Sequence, residues 1–211
     1  MVNKRRITHR IMLLSQTTTS SLKTRGRETD LLVQQYRRGD EISMLNSEIW
    51  QVYRGVVELS RIQQDGREVI SGWVTANGVF GNIADDVLVY RALALGDVYV
   101  KRYSTHDVVR YPILARQLLA QFSDRLLQSQ HLLTIIATSK VEDRLRDLLS
   151  MLKQEIGHSV EDGIRLPVRF THQHLAEVIH TTRVTVTRIL GDFQAQNLVY
   201  FDSDRHIIIQ D

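Results

Sequence analysis

Two sets of residues in this 211-residue chain have types and spacings that could do chemistry. The first lies in HTTRVTVTRIL, residues 180–190, where Arg183, Val184, Thr187 and Arg188 would share one outer face of a helix. A guanidinium is a planar fork of donors that matches the O6 and N7 acceptors of guanine. Threonine beside it offers a hydroxyl for phosphate and a methyl for thymine. The second set is His172 and His174 in THQH. On a strand the two imidazoles would share a face and could chelate a metal ion. On a helix they point about 200° apart and cannot. The chain lacks a nucleophile elbow, a phosphate-cradling glycine loop and a paired-carboxylate site, and it has no cysteine. The chemistry on offer is binding, with no catalytic residues and no metal site expected.

The arginine face needs a helix, and 180–190 is rich in β-branched residues that favour strands. The apolar spacing settles the matter. Val186, Ile189, Leu190 and Phe193 fall at i, i+3, i+4 and i+7, one buried stripe. Each β-branched residue costs a few tenths of a kcal/mol in a helix, less than burial of a valine or isoleucine returns. Upstream, Thr171 can cap a helix with the stripe Leu175, Ala176 and Ile179, and His180–Thr181 makes a short turn. Downstream, NLVYFDSDRHIIIQD reads as two short strands around DSD. Two helices, a tight turn and a β-wing make a winged helix-turn-helix whose second helix can enter the major groove. A plain surface helix with solvated arginines would explain 180–190 alone, but not its neighbours.

The rest of the chain must carry and pair this module. Residues 1–38 hold nine Lys and Arg against two acids, a net +7 that leaves −4 for the remainder of a chain at +3. Residues 1–28 are expected to be a mobile basic arm. Residues 29–110 look all-β, with WQVYRGVVELSRI, REVISGWV and RALALGDVYV between turn signals such as QQDG and LGD. Residues 111–137 switch to a helical period. Leu119, Phe122, Leu126, Ser129, Leu133 and Ile136 alternate spacings of three and four. A helix packed on its own β-domain would show a similar stripe, but the seam of a two-chain coiled coil is the expectation. A hinge near Thr138–Lys140 leads to residues 138–211, whose first helix has the stripe Val141, Leu145, Leu148, Leu149, Leu152 and Ile156; GHSVEDG then reads as a loop. No apolar run approaches the ~20 residues of a membrane helix, so a cytoplasmic, nucleoid-associated protein is expected.

LAEVIHTTRVTVTRIL followed by NLVYF closely resembles the winged helix-turn-helix of the Crp/Fnr transcription-regulator superfamily, and within it the cyanobacterial global nitrogen regulators. RRGD, YRGVVELSRIQQDGREVISGWV and VFG resemble the family's effector-binding β-roll, and DRLLQSQHLLTIIATSKVEDRL its long dimerisation helix and hinge. The resemblance covers roughly residues 33–210. It implies an α+β fold: a cyclic-nucleotide-binding-like β-roll, a dimerisation helix and a C-terminal winged helix-turn-helix. It also implies a homodimer on a palindromic GTA-N8-TAC-like DNA site, with RNA polymerase as a further partner. Arg183 and Arg188 would read bases. Val184 stands where cyclic-AMP-type members carry a cytosine-reading glutamate. Thr171, Gln173, Thr182 and Thr185 match positions that contact phosphates. His180 departs from the glycine usual in the turn.

The resemblance places the effector site at Phe80, Gly81, Asn82, Arg91, Ala92 and Arg125. Asn82 replaces the glutamate that holds a ribose hydroxyl in cyclic-nucleotide binders, and an amide bonds it more weakly than a carboxylate. Asp85 and Asp86 would oppose a bound phosphate. Cyclic AMP is therefore not expected. Arg125 matches the helix arginine that holds 2-oxoglutarate in nitrogen regulators, while Gln130 replaces a glutamate there and the second arginine has no secure match. The effector is either 2-oxoglutarate or another small dianion, or there is none. A β-roll scaffold for protein partners with a vestigial DNA module is the alternative, against which the intact Arg183 and Arg188 speak.

Overall fold

The computed structural model describes residues 33–43, 48–82 and 90–210. The basic arm, Asp85, Asp86 and the side chain of Asn82 lie outside the described residues. Seven strands open the chain: β1 Val33–Tyr36, β2 Glu48–Arg54, β3 Val57–Ile62, β4 Glu68–Val74, β5 Val79–Asn82, β6 Tyr90–Ala94 and β7 Val98–Ser104. They form a four-stranded sheet in the order β1-β7-β2-β5 and a three-stranded sheet in the order β4-β3-β6, with antiparallel pairing throughout. Alternate side chains of both sheets meet inside. Trp50, Val52, Val57, Leu59, Val74, Phe80, Ala92, Val98 and Val100 are buried there, as the period of two requires.

The QDG signal is the hairpin between β3 and β4, closed by Gln63 N–H on Arg67 O at 2.8 Å and Gly66 N–H on Gln63 O at 3.0 Å. YRG is different. It carries the chain from one sheet to the other, and Gly55 has φ +98° with room for no Cβ, which would lie 2.5 Å from Asp97 O. A glycine is required at this crossing.

The helices follow as α1 Thr105–Arg110, α2 Pro112–Ala137 and α3 Val141–Ile156. The sequence reading did not anticipate α1. It starts on a capping box in which the Ser104 hydroxyl and backbone N–H hold Asp107, and those bonds keep the Asp107 carboxyl below its usual range. Pro112 opens α2 at a position where its missing N–H costs nothing. The outer face of the four-stranded sheet packs on the start of α2: Ile49, Val79, Tyr103 and Leu118 are buried together, with Leu114 and Phe122 against them. Helix α2 ends at Ala137 and α3 begins at Val141, so the helical chain breaks over 138–140.

The C-terminal module contains β8 His158–Val160, β9 Gly163–Arg165, α4 His172–Val178, α5 Arg183–Ala195, β10 Val199–Phe201 and β11 Ile207–Ile209. GHSVEDG is not a loop, which corrects the sequence expectation. It holds most of the β8–β9 hairpin, and β9 pairs with β11, extending the wing to a four-stranded sheet in the order β10-β11-β9-β8. Three-residue strands carry too little alternation to reveal a period; their pairing comes from the Ile207–Ile209 strand laid beside them. The module's core joins α3, α4 and α5 through Leu145, Leu148, Leu149, Leu152, Leu175 and Ile189, and it continues into Trp73 and Ile70 of β4 and Leu132 and Ile135 of α2.

Candidate nucleic-acid interface

Helix α5 buries the stripe that its spacing specifies: Val186, Ile189, Leu190 and Phe193 are each almost fully enclosed. At roughly 1.5–3 kcal/mol per large apolar side chain this outweighs the poor propensity of its threonines and valines. The opposite face is left to solvent. Thr182, Arg183, Thr187 and Arg188 are exposed, and Val184 is 78% exposed. Thr185 is half-buried. Thr182 caps the helix, its Oγ1 accepting from Thr185 N–H at 3.2 Å. Thr187 Oγ1 donates to Arg183 O at 2.8 Å and is 2.8 Å from His172 Nδ1, which ties α5 to α4.

Helix α4 is capped by Thr171 Oγ1 on His174 N–H at 3.0 Å. Thr171 and Gln173 are exposed, and Gln173 Nε2 donates to Glu177 Oε1 at 2.8 Å. His172 and His174 take different partners: His172 faces Thr187, and His174 meets Glu58 on β3. They share no ligand position, as the helical spacing requires. Burial, and then the charge of Arg183, hold the His172 imidazole below its usual range, so it is neutral near pH 7.

The turn between the helices closes as a Schellman motif, with Thr181 N–H on Ala176 O at 2.9 Å and His180 N–H on Glu177 O at 3.4 Å. His180 takes the left-handed position at φ +52°. A left-handed backbone costs an L-residue about 1–2 kcal/mol, and glycine's extra unfolded-state freedom returns about 0.5–1 of that. His180→Gly is therefore expected to leave the protein as stable or more stable, by up to about 1.5 kcal/mol, whereas His180→Val should destabilise it. Thermal melts of the two variants check this. A lower midpoint for the glycine variant would show that the imidazole itself supports the turn.

Sequence reasoning missed two cations. A concavity of about 660 Å³ between α4, α5 and the wing is lined by Arg169, Arg183 and Arg205 together with Thr171, His172 and Gln173. Arg169 and Arg205 belong to segments with no helical period to tie them to the arginine face, so only the tertiary fold brings them there. The wing that carries Arg205 is braced from below. Arg165 Nε donates to Asp202 Oδ2 at 2.6 Å, and its Nη2 lies 2.6 Å from His206 Nδ1. Asp202, Asp204 and His206 have the types of a metal site, but the Arg165 guanidinium already supplies the cation.

Among the described residues, those expected to hold an effector fall in two places, the β-roll and a cleft beside α2. Phe80 and Ala92 are buried in the β-roll core, and Gly81 and Asn82 belong to β5. Arg91, on β6, is taken by Glu41 at 3.2 Å and Glu68 at 3.2 Å. Arg125, on α2, donates to the carbonyl of Trp73 at 3.3 Å and to Gln128. It lines a cleft of about 240 Å³ with Gln128, Asp124 and Glu155, and burial raises the Glu155 carboxyl above its usual range. Arg91, Phe80 and Ala92 are not part of that cleft's lining.

The seam on α2 divides between two environments. Leu119, Leu126 and Leu133 are 67%, 60% and 67% exposed at strict heptad spacing. Phe122 packs under the β-roll, Ile136 packs against the C-terminal core, and Ser129 Oγ reaches Ser71 O at 3.4 Å.

Among the described residues no helix is long and apolar enough to cross a membrane. Residues 143–211 match the Crp-like helix-turn-helix domain family. The global nitrogen regulator of Synechococcus elongatus is 30% identical over 187 residues, covering 83% of this chain and 84% of that protein. The global nitrogen regulator of a Synechocystis species is 31% identical over 160 residues, 72% of this chain and 71% of that one. In fold, the chain is similar to a CRP/FNR-family transcriptional regulator of Thermus thermophilus, with a TM-score of 0.69 at 22% identity over 84% of this chain and 92% of that one. It is also similar to a cyclic nucleotide-binding domain containing protein of Listeria monocytogenes, with a TM-score of 0.71 at 18% identity over 84% and 88%. These relatives in sequence are regulators and not enzymes. A β-roll, a long helix and a winged helix-turn-helix, joined to that identity over most of both chains, place this protein in the Crp/Fnr family of transcription regulators.

Proposed function

We propose that the protein acts as a homodimer that reads a palindromic GTA-N8-TAC-like DNA site. The observation that carries this reading is the division of α5 into a fully buried apolar stripe and an exposed face of Arg183, Val184, Thr187 and Arg188. In it, Arg183 and Arg188 read base edges, while Thr171, Gln173, Thr182 and Thr185 hold the phosphates. The exposed pair of Arg188 with Asp192, at 3.0 Å, is worth little in water and is readily exchanged for a base edge. Arg169 and Arg205 add phosphate contacts on either side. One module covers a half-site, so two copies joined along Leu119, Leu126 and Leu133 read the whole. RNA polymerase is the further partner this reading carries.

The unliganded protein is proposed to bind DNA already. A clamp for 2-oxoglutarate or another dianion needs cations that face one space, and Arg91 and Arg125 are each engaged with groups of the chain itself. The test is titration of a labelled palindromic operator with protein alone, then with millimolar 2-oxoglutarate or cyclic AMP. Tight binding without either is expected. Tightening by more than about tenfold with 2-oxoglutarate, well within the roughly 5–150-fold of ordinary allosteric coupling, would replace this reading with a sensor. The same response to cyclic AMP would show that Asn82 suffices for the ribose.

A further inference from the structure

Glu58 is a carboxylate on β3 that is only 5% exposed. It accepts from Trp73 Nε1 at 3.1 Å within its own domain. Its other partner belongs to the DNA-binding module: His174 Nε2, on α4, lies 2.5 Å from the same oxygen. Around this junction the Phe170 ring stands edge-on to Trp73 at 5.9 Å between centroids and tilts against His174 at 5.3 Å. The backbone of Trp73 is gripped in turn by α2. Gln128 Oε1 accepts from Trp73 N–H at 3.1 Å, and Gln128 Nε2 donates to Trp73 O at 2.9 Å. Gly72 makes this approach possible, because a Cβ there would fall 2.3 Å from Gln128 Oε1.

We propose that Glu58 and His174 are a positioning pair that fixes the angle of the DNA-reading helices on the long helix. This rests on the assignment of α5 to base reading. The covalent link between α2 and the module is the non-helical stretch 138–140, which constrains its orientation weakly. Apolar contacts of Trp73 with Phe170 hold the module close but tolerate sliding. A buried hydrogen bond to a carboxylate does not, because any shift leaves a desolvated polar group unpaired. A dimer on a palindrome depends on that angle, since it sets the distance between the two recognition helices. None of the base-reading side chains is consumed by the contact, so the docked arrangement is the DNA-competent one. Trp73, held by Gln128 on one side and Glu58 on the other, connects α2 to the module.

The test compares the full-length wild type with His174→Phe, which keeps the ring against Phe170 but offers Glu58 no nitrogen, and with His174→Gln, which restores a donor near the Nε2 position. Glu58→Gln probes the pair from the other side. Two readouts are taken: affinity for operators whose half-sites are spaced correctly or one base pair apart from correct, and the fluorine NMR of protein labelled with 5-fluorotryptophan. His174→Phe is expected to weaken the correct operator by about tenfold and to flatten the preference for correct spacing. It should move the Trp73 resonance and leave non-specific DNA binding unchanged. His174→Gln should recover most of the affinity. Glu58→Gln should weaken binding as well, with no further loss in the double variant with His174→Phe. Unchanged affinity and spacing preference in His174→Phe would overturn the proposal, as would tighter binding, which would make the docked arrangement inhibitory. A wild type that ignores the operator would instead refute the base-reading assignment. In that case a Trp73 resonance unmoved by His174→Phe would still refute the positioning pair.

Discussion

Leu126→Asp and Leu133→Asp are each expected to give a folded monomer that no longer binds a palindromic operator specifically. Both leucines are largely exposed in the single chain and project from α2 one heptad apart, with Leu119 a heptad before them. An aspartate there costs the isolated protomer little. In a two-chain seam it buries an unpaired carboxylate on each side, a loss of several kcal/mol. Light scattering should therefore show half the wild-type mass, while the thermal melt of the monomeric variants remains cooperative. Leu132→Asp is the contrast. Leu132 is buried against the C-terminal core, so its replacement should unfold the protein and not merely separate two copies. A wild-type protein that runs as a monomer at micromolar concentration would refute the seam.

Arg183→Ala and Arg188→Ala should each weaken a specific site by ~1–3 kcal/mol, roughly 5- to 150-fold, and non-specific DNA far less. The two side chains stand on the exposed face of a helix whose fold does not depend on them, so stability should be unaffected. Val184→Glu should behave differently. A carboxylate at this exposed position accepts from cytosine N4, so the variant is expected to shift its preference toward a C·G pair at one position of each half-site. Binding-site selection with the three variants measures both effects. If neither arginine substitution changed the ratio of specific to non-specific affinity, the reading face would have to be sought elsewhere, with Arg169 and Arg205 the next cations to test.

Where local pattern carries the information, the sequence was enough. The stripe on α5, the cap at Thr171, the short turn at His180–Thr181 and the QDG hairpin are all decided by residues within a turn or two of one another. Amphipathic spacing states which side of a helix is buried whatever buries it. It does not state what lies opposite. That is why one regular seam on α2 could be read in sequence as a single surface, while the fold gives Phe122, Ser129 and Ile136 to the protein's own domains and leaves Leu119, Leu126 and Leu133 uncovered.

The tertiary structure decided the rest because the partners are far apart along the chain. Arg125 donates to a carbonyl 52 residues away and Arg91 to carboxylates 23 and 50 residues away, and no spacing rule foretells either. The β8–β9 hairpin exists because β11 offers it an edge. Glu58 and His174, separated by 116 residues, meet only where the β-roll and the DNA-binding module pack together. What the sequence by itself determined is the set of elements, their buried faces and the arginine helix that marks a DNA reader. What only the tertiary structure decided is which polar groups neutralise one another, because that depends on desolvation and distance across packed elements.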